Sequence, residues 1–170
     1  YVNISKISPN IIINCAAYTA VDKAESEPEL AELINHQAIN IISNWTSLNK
    51  CKLFHISTDY VFNSYLKKPI KEEDFKLPIN IYGKSKLLGE KSCLQNDKNA
   101  IILRTSWVYS IYGNNFVKTM IKMMKRNDYV KVIYDQIGSP TNAEDLANAI
   151  IFIINFKYWY PGVYHYSNDG

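Results

Sequence analysis

Three short apolar runs, each bounded by polar or turn-forming residues, constrain the fold of this chain most strongly. The first spans Pro9 to Cys15 and reads Pro-Asn-Ile-Ile-Ile-Asn-Cys. The second is Lys52 to Ile56, Lys-Leu-Phe-His-Ile, and the third is Ala100 to Leu103. All three are continuous rather than alternating, the pattern of parallel strands covered on both faces. Helical patterns lie between them. Pro28 opens one, with Glu27 and Glu29 near its positive end. Its apolar positions Leu30, Ile34, Ala38, Ile41, Trp45 and Leu48 recur at spacings of three and four, which gives one stripe of a long amphipathic helix. A second runs from about Ile79 to Leu94 and carries Tyr82, Lys86, Leu87 and Glu90. Strands that alternate with helices predict an α/β fold, a three-layer sandwich around a mostly parallel sheet.

The later pattern continues in kind. A helix is expected over Asn115 to Lys125, with Phe116, Met120 and Met123 or Met124 on its inner side. A strand is expected over Tyr129 to Ile133, a helix over Ala143 to Asn155 capped by Thr141 or Asn142, and a last strand over Val163 to Tyr166. These elements fit an accessory region beside the sheet. The polar run Asn63 to Pro78, with Pro69 and Pro78, predicts a long surface loop. Loops of that length inside a compact domain usually have a function. Within it, Lys67-Lys68 is expected to be solvated. The 170 residues are enough for one domain with a hydrophobic core.

Composition removes several classes. The net charge of +3 comes from scattered lysines with no arginine-rich stripe, which argues against nucleic acid as a partner. No apolar run reaches the length of a membrane span, and no signal peptide opens the chain. Cys15, Cys51 and Cys93 form neither a metal signature nor a disulfide framework, so a reducing compartment is expected. Cys15 and Cys51 adjoin apolar runs and are expected to be small buried hydrophobes. His55 lies inside an apolar strand and is expected to be a core residue. With His36 on a helix and His165 in the last strand, the three lack zinc-ligand spacing. Glu72-Glu73-Asp74 is expected to be a solvated acidic turn rather than a cation site. Asp22 and Glu25 are expected to serve caps or local ion pairs.

In open α/β sheets, ligands bind beyond the carboxyl ends of the strands. Ala16-Ala17-Tyr18-Thr19, Ser57-Thr58-Asp59-Tyr60 and Arg104-Thr105-Ser106-Trp107 all fall there. Ala16 and Ala17 are small enough to admit a flat ligand, or simply make a tight turn. Tyr82 and Lys86 share one helix face, with Cβ atoms roughly 5–6 Å apart. A nearby ammonium lowers a phenol from its ordinary pKa of about 10 toward the range useful for acid–base work. Thr58 can donate a hydrogen bond to a carbonyl oxygen that gains negative charge. Trp107 and Tyr109 follow a strand end, where substrate contact and core packing are equally consistent with the pattern. Alone, Tyr82 and Lys86 are a weak motif in a chain with 13 tyrosines. Their order after the strand-end Ser57-Thr58-Asp59 strengthens it.

Longer segments carry a resemblance. They are Asn14-Cys15-Ala16-Ala17-Tyr18-Thr19-Ala20-Val21-Asp22-Lys23-Ala24-Glu25, Ser57-Thr58-Asp59-Tyr60-Val61-Phe62 and Tyr82-Gly83-Lys84-Ser85-Lys86-Leu87-Leu88-Gly89-Glu90. Leu103-Arg104-Thr105-Ser106-Trp107-Val108-Tyr109, Asn115-Phe116-Val117 and Asp135-Gln136-Ile137-Gly138-Ser139-Pro140-Thr141 follow. In this order they resemble the dTDP-4-dehydrorhamnose reductase family of the extended short-chain dehydrogenase/reductase superfamily.

The resemblance implies a Rossmann-like cytoplasmic enzyme that reduces a dTDP-linked 4-keto-6-deoxy sugar to dTDP-L-rhamnose with NADPH or NADH. It implies Tyr82 as proton donor, Lys86 as its partner and ribose ligand, and Thr58 as third catalytic member. Ala16, Ala17 and Ser57 would line the cofactor path. Asp59, Trp107 and Asn115 would join Thr58 and Tyr82 on the substrate side. No metal site is assigned, although Mg2+ accompanies longer family members, and a homodimer stays open as a partner state. The superfamily also holds sugar-nucleotide epimerases and dehydratases, and the family extends to a regulatory subunit of methionine adenosyltransferase. Two departures stand out: Asn63-Ser64 replaces the usual Asp-Gly, and Ile70 replaces an aromatic residue. Family members begin with a strand, a Gly-rich turn and a helix that this sequence does not contain. Residues 1–170 therefore resemble a partial NAD(P)-binding domain with part of the substrate-binding region, truncated at both ends. Such a piece is expected to bind cofactor poorly, turn over little and expose a sheet edge.

Overall fold

The computed structural model describes residues 4–63 and 68–169. The expectations for Lys67 and Ser64, and for the central part of the loop after Asn63, lie outside the described residues. In chain order the elements are α1 (Ile4–Ile7), β1 (Ile11–Asn14), α2 (Val21–Ala24), α3 (Pro28–Glu32), a π-helical stretch (Leu33–Gln37) and α4 (Ala38–Leu48). Next come β2 (Lys52–Thr58), a 3-10 turn (Asp59–Val61), α5 (Ile81–Asn96), β3 (Ile101–Thr105) and β4 (Val108–Tyr109). The chain continues through α6 (Phe116–Met124), β5 (Thr141–Asn142), α7 (Ala143–Asn155) and β6 (Gly162–His165). The residues form two compact units: Tyr1–Arg104 with Tyr160–His165, and Thr105–Trp159 with Tyr166–Gly170.

The first unit holds a four-stranded sheet in the order β1-β2-β3-β6. β1 and β2 run parallel, with Ile11 opposite Lys52, and β3 and β6 run parallel, with Ile101 opposite Gly162. This is the expected mostly parallel sheet with flanking helices. Ile39, Leu53, Cys93, Ala100 and Ile102 form its core, with Ile12, Ile42, Leu94 and Val163 packed against them. Two strand-end expectations change. β1 is the edge of the described sheet, and its Ile13 is 44% exposed, because an edge strand is covered less completely than a central one. Cys15 is exposed rather than buried, since the strand stops at Asn14, whereas Cys51 is buried as expected.

The helical stretch from Pro28 to Leu48 forms, with Pro28 at its first turn, but it buries a different face. Leu30, Ile41 and Leu48 of the expected stripe are exposed. Ala31, Asn35, Ile39, Ser43 and Thr46 are buried instead. The offset from the expected stripe is already present at Ala31, before the π-helical stretch begins. The buried face is small and polar because it meets α5, whose own buried residues are Tyr82, Gly83, Ser85, Lys86, Gly89, Glu90 and Cys93. A Cβ on Gly89 would lie 2.2 Å from the Asn35 carbonyl oxygen, so the close approach requires glycine. Thr46 donates to the Asp97 carboxylate at 2.7 Å and fastens the other end of the contact.

The second unit holds a two-stranded parallel sheet, with Val108 opposite Thr141 and Tyr109 opposite Asn142. Asn142 caps α7 as expected, its side-chain oxygen accepting from Glu144 N at 2.8 Å. The expected strand Tyr129–Ile133 is irregular chain, with Tyr129, Val132 and Ile133 exposed. β-branched and aromatic residues favour a strand only where a pairing partner and a covered face exist. None of α6 is buried, and Phe116 and Met124, expected inside, are exposed.

Candidate active site

Tyr82 stands in the first turn of α5, and three contacts fix that turn. Asn80 caps it, its side-chain oxygen accepting from Gly83 N at 2.7 Å. The Glu25 carboxylate accepts from Ile81 N at 2.7 Å, a long-range contact at the start of α5 rather than a cap or ion pair in its own stretch of chain. Gly83 packs so closely on the 3-10 turn that a Cβ there would lie 2.2 Å from the Tyr60 carbonyl oxygen. The Tyr60 and Tyr82 rings meet edge to face with centroids 5.4 Å apart. Tyr82 lies in an apolar cluster with Ala24 and Ala31, flanked by Tyr18, Val21, Tyr60 and Ile81. That burial pushes its phenol up to about 12, with a hydrogen bond to Thr58 pulling the other way. The expectation that Lys86 lowers it is therefore corrected: desolvation wins.

Lys86 is 2% exposed, and its Nζ donates to the Ile56 carbonyl oxygen at 2.8 Å. Burial pulls its ammonium down to about 8, against the attraction of Glu90. Thr58 ends β2 and is buried. Its hydroxyl donates to Asp59 Oδ1 at 3.1 Å and accepts from Tyr60 N at 3.2 Å. Burial raises the Asp59 carboxyl, while the Thr58 hydrogen bond lowers it. Thr58, Asp59 and Tyr82 thus lie together at the end of β2, and Lys86 is held on the same strand two residues earlier. Ala16 and Ala17 follow the neighbouring strand β1; Ala16 is exposed and Ala17 half-buried. Asn14 turns that strand end, its Oδ1 accepting from Ala16 N at 3.3 Å and its Nδ2 meeting His55 Nδ1 at 3.0 Å. His55 is a core residue, as expected, and burial holds its imidazole well below the usual range.

Ser57 is expected on the cofactor path, and its hydroxyl proton has a partner within the protein. It donates to Glu90 Oε1 at 2.6 Å. Glu90 also receives Arg104 Nε at 2.8 Å and Nη2 at 2.7 Å. Arg104 Nη1 donates to the Glu72 carbonyl oxygen at 3.1 Å, and the Glu72 carboxylate accepts from His165 N at 3.0 Å. The acidic turn at Glu72-Glu73-Asp74 is therefore partly built into the fold rather than fully solvated. Asn35 is a second residue that the spacing did not single out. It accepts from Tyr18 N at 2.8 Å and donates to Tyr18 O and Ser85 Oγ. The available signal was a charge or amide inside an apolar pattern, which is rare unless paired.

Trp107 and Asn115 belong to the second unit. Trp107 has φ 47°, a strained value for a bulky residue. A Cβ on Gly138 would lie 2.9 Å from its indole, and Ser106 Oγ donates to Ser139 O at 2.6 Å. The side chain of Asn115 caps α6, accepting from Lys118 N at 3.0 Å, and donates to Ser110 O at 2.6 Å. Among the described residues, no group of three or more His, Cys, Asp and Glu side chains is placed to hold a metal ion. No described helix is long and apolar enough to cross a membrane.

A mostly parallel sheet with a threonine at one strand end, and a tyrosine and lysine on the helix beside it, defines a Rossmann-like α/β protein. The chain belongs to the family described as the RmlD substrate binding domain, which it matches over residues 2–170. It is 45% identical to a dTDP-4-dehydrorhamnose reductase of Salmonella typhimurium over 98% of this chain and 57% of that protein. It is 44% identical to the Escherichia coli protein of the same name, again over 98% of this chain and 57% of the other. A crystal structure of dTDP-4-dehydrorhamnose reductase from Bacillus anthracis in complex with NADP superposes with a TM-score of 0.93 at 45% identity. That match covers 98% of this chain and 59% of the other. The chain thus spans less than two thirds of the relatives' length.

Proposed function

We propose that the whole protein to which these residues belong reduces dTDP-4-dehydro-L-rhamnose to dTDP-L-rhamnose with NADPH or NADH. The observation that carries this reading is the burial of Thr58 and Tyr82 together at the end of β2, with Lys86 held on Ile56 O of the same strand, in a chain 45% identical to reductases of that name. The residues fit a nicotinamide cofactor. Lys86 uses one of its three donors on Ile56 O, which leaves others for ribose hydroxyls. Ala16 and Ala17 leave the end of β1 without a bulky side chain. The bound cofactor supplies hydride to C4 of the sugar.

The chain's own residues supply the rest. At neutral pH the Tyr82 phenol keeps its proton, because burial holds it near 12. It is therefore loaded as a donor, and it gives that proton to the C4 oxygen as negative charge develops there. Thr58 turns its hydroxyl from Asp59 to the same oxygen and stabilises the charge. The Lys86 ammonium, held by Ile56 O, favours the phenolate that remains. The roles of Asp59, Trp107 and Asn115 on the sugar-nucleotide side, a cytoplasmic setting, and a homodimer or Mg2+ in the whole protein are further parts of the proposal. Incubation of the whole protein with the 4-keto sugar nucleotide tests it: one equivalent of NADPH or NADH lost per sugar is expected. A whole protein that consumes neither cofactor contradicts it.

A further inference from the structure

Glu90 and Arg104 are 2% and 3% exposed, and the roles above leave them without a task. A buried ion pair is a poor stabiliser, because well-packed apolar residues of similar volume often do as well or better. This pair also does more than neutralise itself. Both Glu90 oxygens are used, Oε1 by Ser57 Oγ and Arg104 Nε, and Oε2 by Arg104 Nη2. Arg104 is fixed in turn. Its Nη1 reaches the Glu72 carbonyl oxygen and His165 Nε2, and its guanidinium lies 5.0 Å from the Phe62 ring centre. Three elements converge on one carboxylate: β2 through Ser57, β3 through Arg104 and α5 through Glu90.

Ser57 and Thr58 are consecutive in β2, so their side chains leave opposite faces of the strand. Fixing the Ser57 hydroxyl fixes the rotation of the strand end about its own axis. That rotation aims Thr58 at Tyr82. We propose that Glu90, clamped by Arg104, is a positioning residue for Thr58, acting through the Ser57 hydroxyl. The proposal rests on the reductase reading for its kinetic consequence, but its structural consequence stands alone.

A second effect follows from spacing. Glu90 lies one turn beyond Lys86 on α5, where side chains are neighbours. Its charge supports the Lys86 ammonium against burial. Cys15 and His55 also face Lys86: Cys15 supports the ammonium, while His55 is itself held neutral beside it.

Ser57→Ala tests the proposal while leaving the ion pair intact. The expected result is a fall of about tenfold in kcat with little change in either KM, the size of one lost buried hydrogen bond. Hydrogen exchange supplies the structural readout, because the Tyr60 amide donates to Thr58 Oγ1 and should exchange faster in the variant. Glu90→Gln keeps an acceptor for Ser57 but removes the charge, so the alkaline limb of its kcat/KM profile should move to lower pH. Wild-type kcat and unchanged Tyr60 exchange in Ser57→Ala overturn the proposal, and an unmoved alkaline limb in Glu90→Gln overturns the second effect, the support of Lys86 by the Glu90 charge. If the wild-type protein consumes no cofactor, the reductase reading fails, and unchanged Tyr60 exchange still overturns the positioning claim by itself.

Discussion

Lys86 Nζ donates to the Ile56 carbonyl oxygen at 2.8 Å, which ties α5 to β2 two residues before Thr58. The ammonium is buried there, and burial brings it down to about 8. In the free enzyme, kcat/KM should therefore fall as pH rises through about 8. Tyr82, near 12, adds no loss of its own in that range. A profile flat from pH 7 to 10 contradicts this assignment. Stability has the opposite sign. The unfolded chain binds the lysine proton more tightly, so the site's contribution to stability rises with pH between about 8 and 10.5. Chemical denaturation should show wild type gaining on Lys86→Met across that window.

Tyr82→Phe keeps the ring in its apolar cluster and removes the phenolic hydroxyl, with its proton and its hydrogen bond to Thr58. A loss of about 10²–10⁴-fold in kcat is expected, the usual contribution of a positioned acid. Both KM values should change little. Near-normal turnover would remove Tyr82 as the proton donor.

His55 is 1% exposed and held neutral by burial first, with the Lys86 charge adding to it. The unfolded chain takes up this proton near pH 6.5, whereas the folded chain takes it up only at much lower pH. Below pH 6.5 the unfolded state thus binds more protons, and stability falls as pH falls. Unfolding midpoints measured from pH 7 to pH 5 should decline. The imidazole resonances of His55 should show no protonation while the protein stays folded.

Gly89→Ala places a Cβ 2.2 Å from the Asn35 carbonyl oxygen, which is backbone and cannot swing away. The helix must shift, at a cost of about 1–3 kcal/mol, typical of overpacking. Equilibrium denaturation measures it, and a neutral substitution would show that α5 and the π-helical stretch are less tightly joined than described.

The alternation of apolar runs with helical spacing was enough to read the parallel sheet, because continuous β-branched strands have few other uses. The placement was legible where residues sit at strand ends in order: Thr58 and Tyr82 lie together, and Lys86 reaches the same strand at Ile56. The helical face was not. Leu30, Ile41 and Leu48 look like a stripe, yet Ala31, Asn35 and Ile39 face inward. A buried face of small and polar residues pressed on α5 carries no apolar pattern to read. Glu90 and Arg104 escaped because their meaning lies in a pairing across α5 and β3. The strand expected at Tyr129–Ile133 fails for the converse reason: its composition suits a strand, and no described partner pairs with it. The downward shift expected for the phenol failed because neighbouring charge is visible in a sequence and burial is not.

The most direct test of the central claim follows the hydride itself. The whole protein is incubated with dTDP-4-dehydro-L-rhamnose and NADPH, or NADH, carrying deuterium at the transferable position. The expected products are dTDP-L-rhamnose with a single deuterium at C4 and one equivalent of oxidised cofactor. An isomerised or dehydrated sugar nucleotide without label, or no product and no cofactor oxidised, would contradict it.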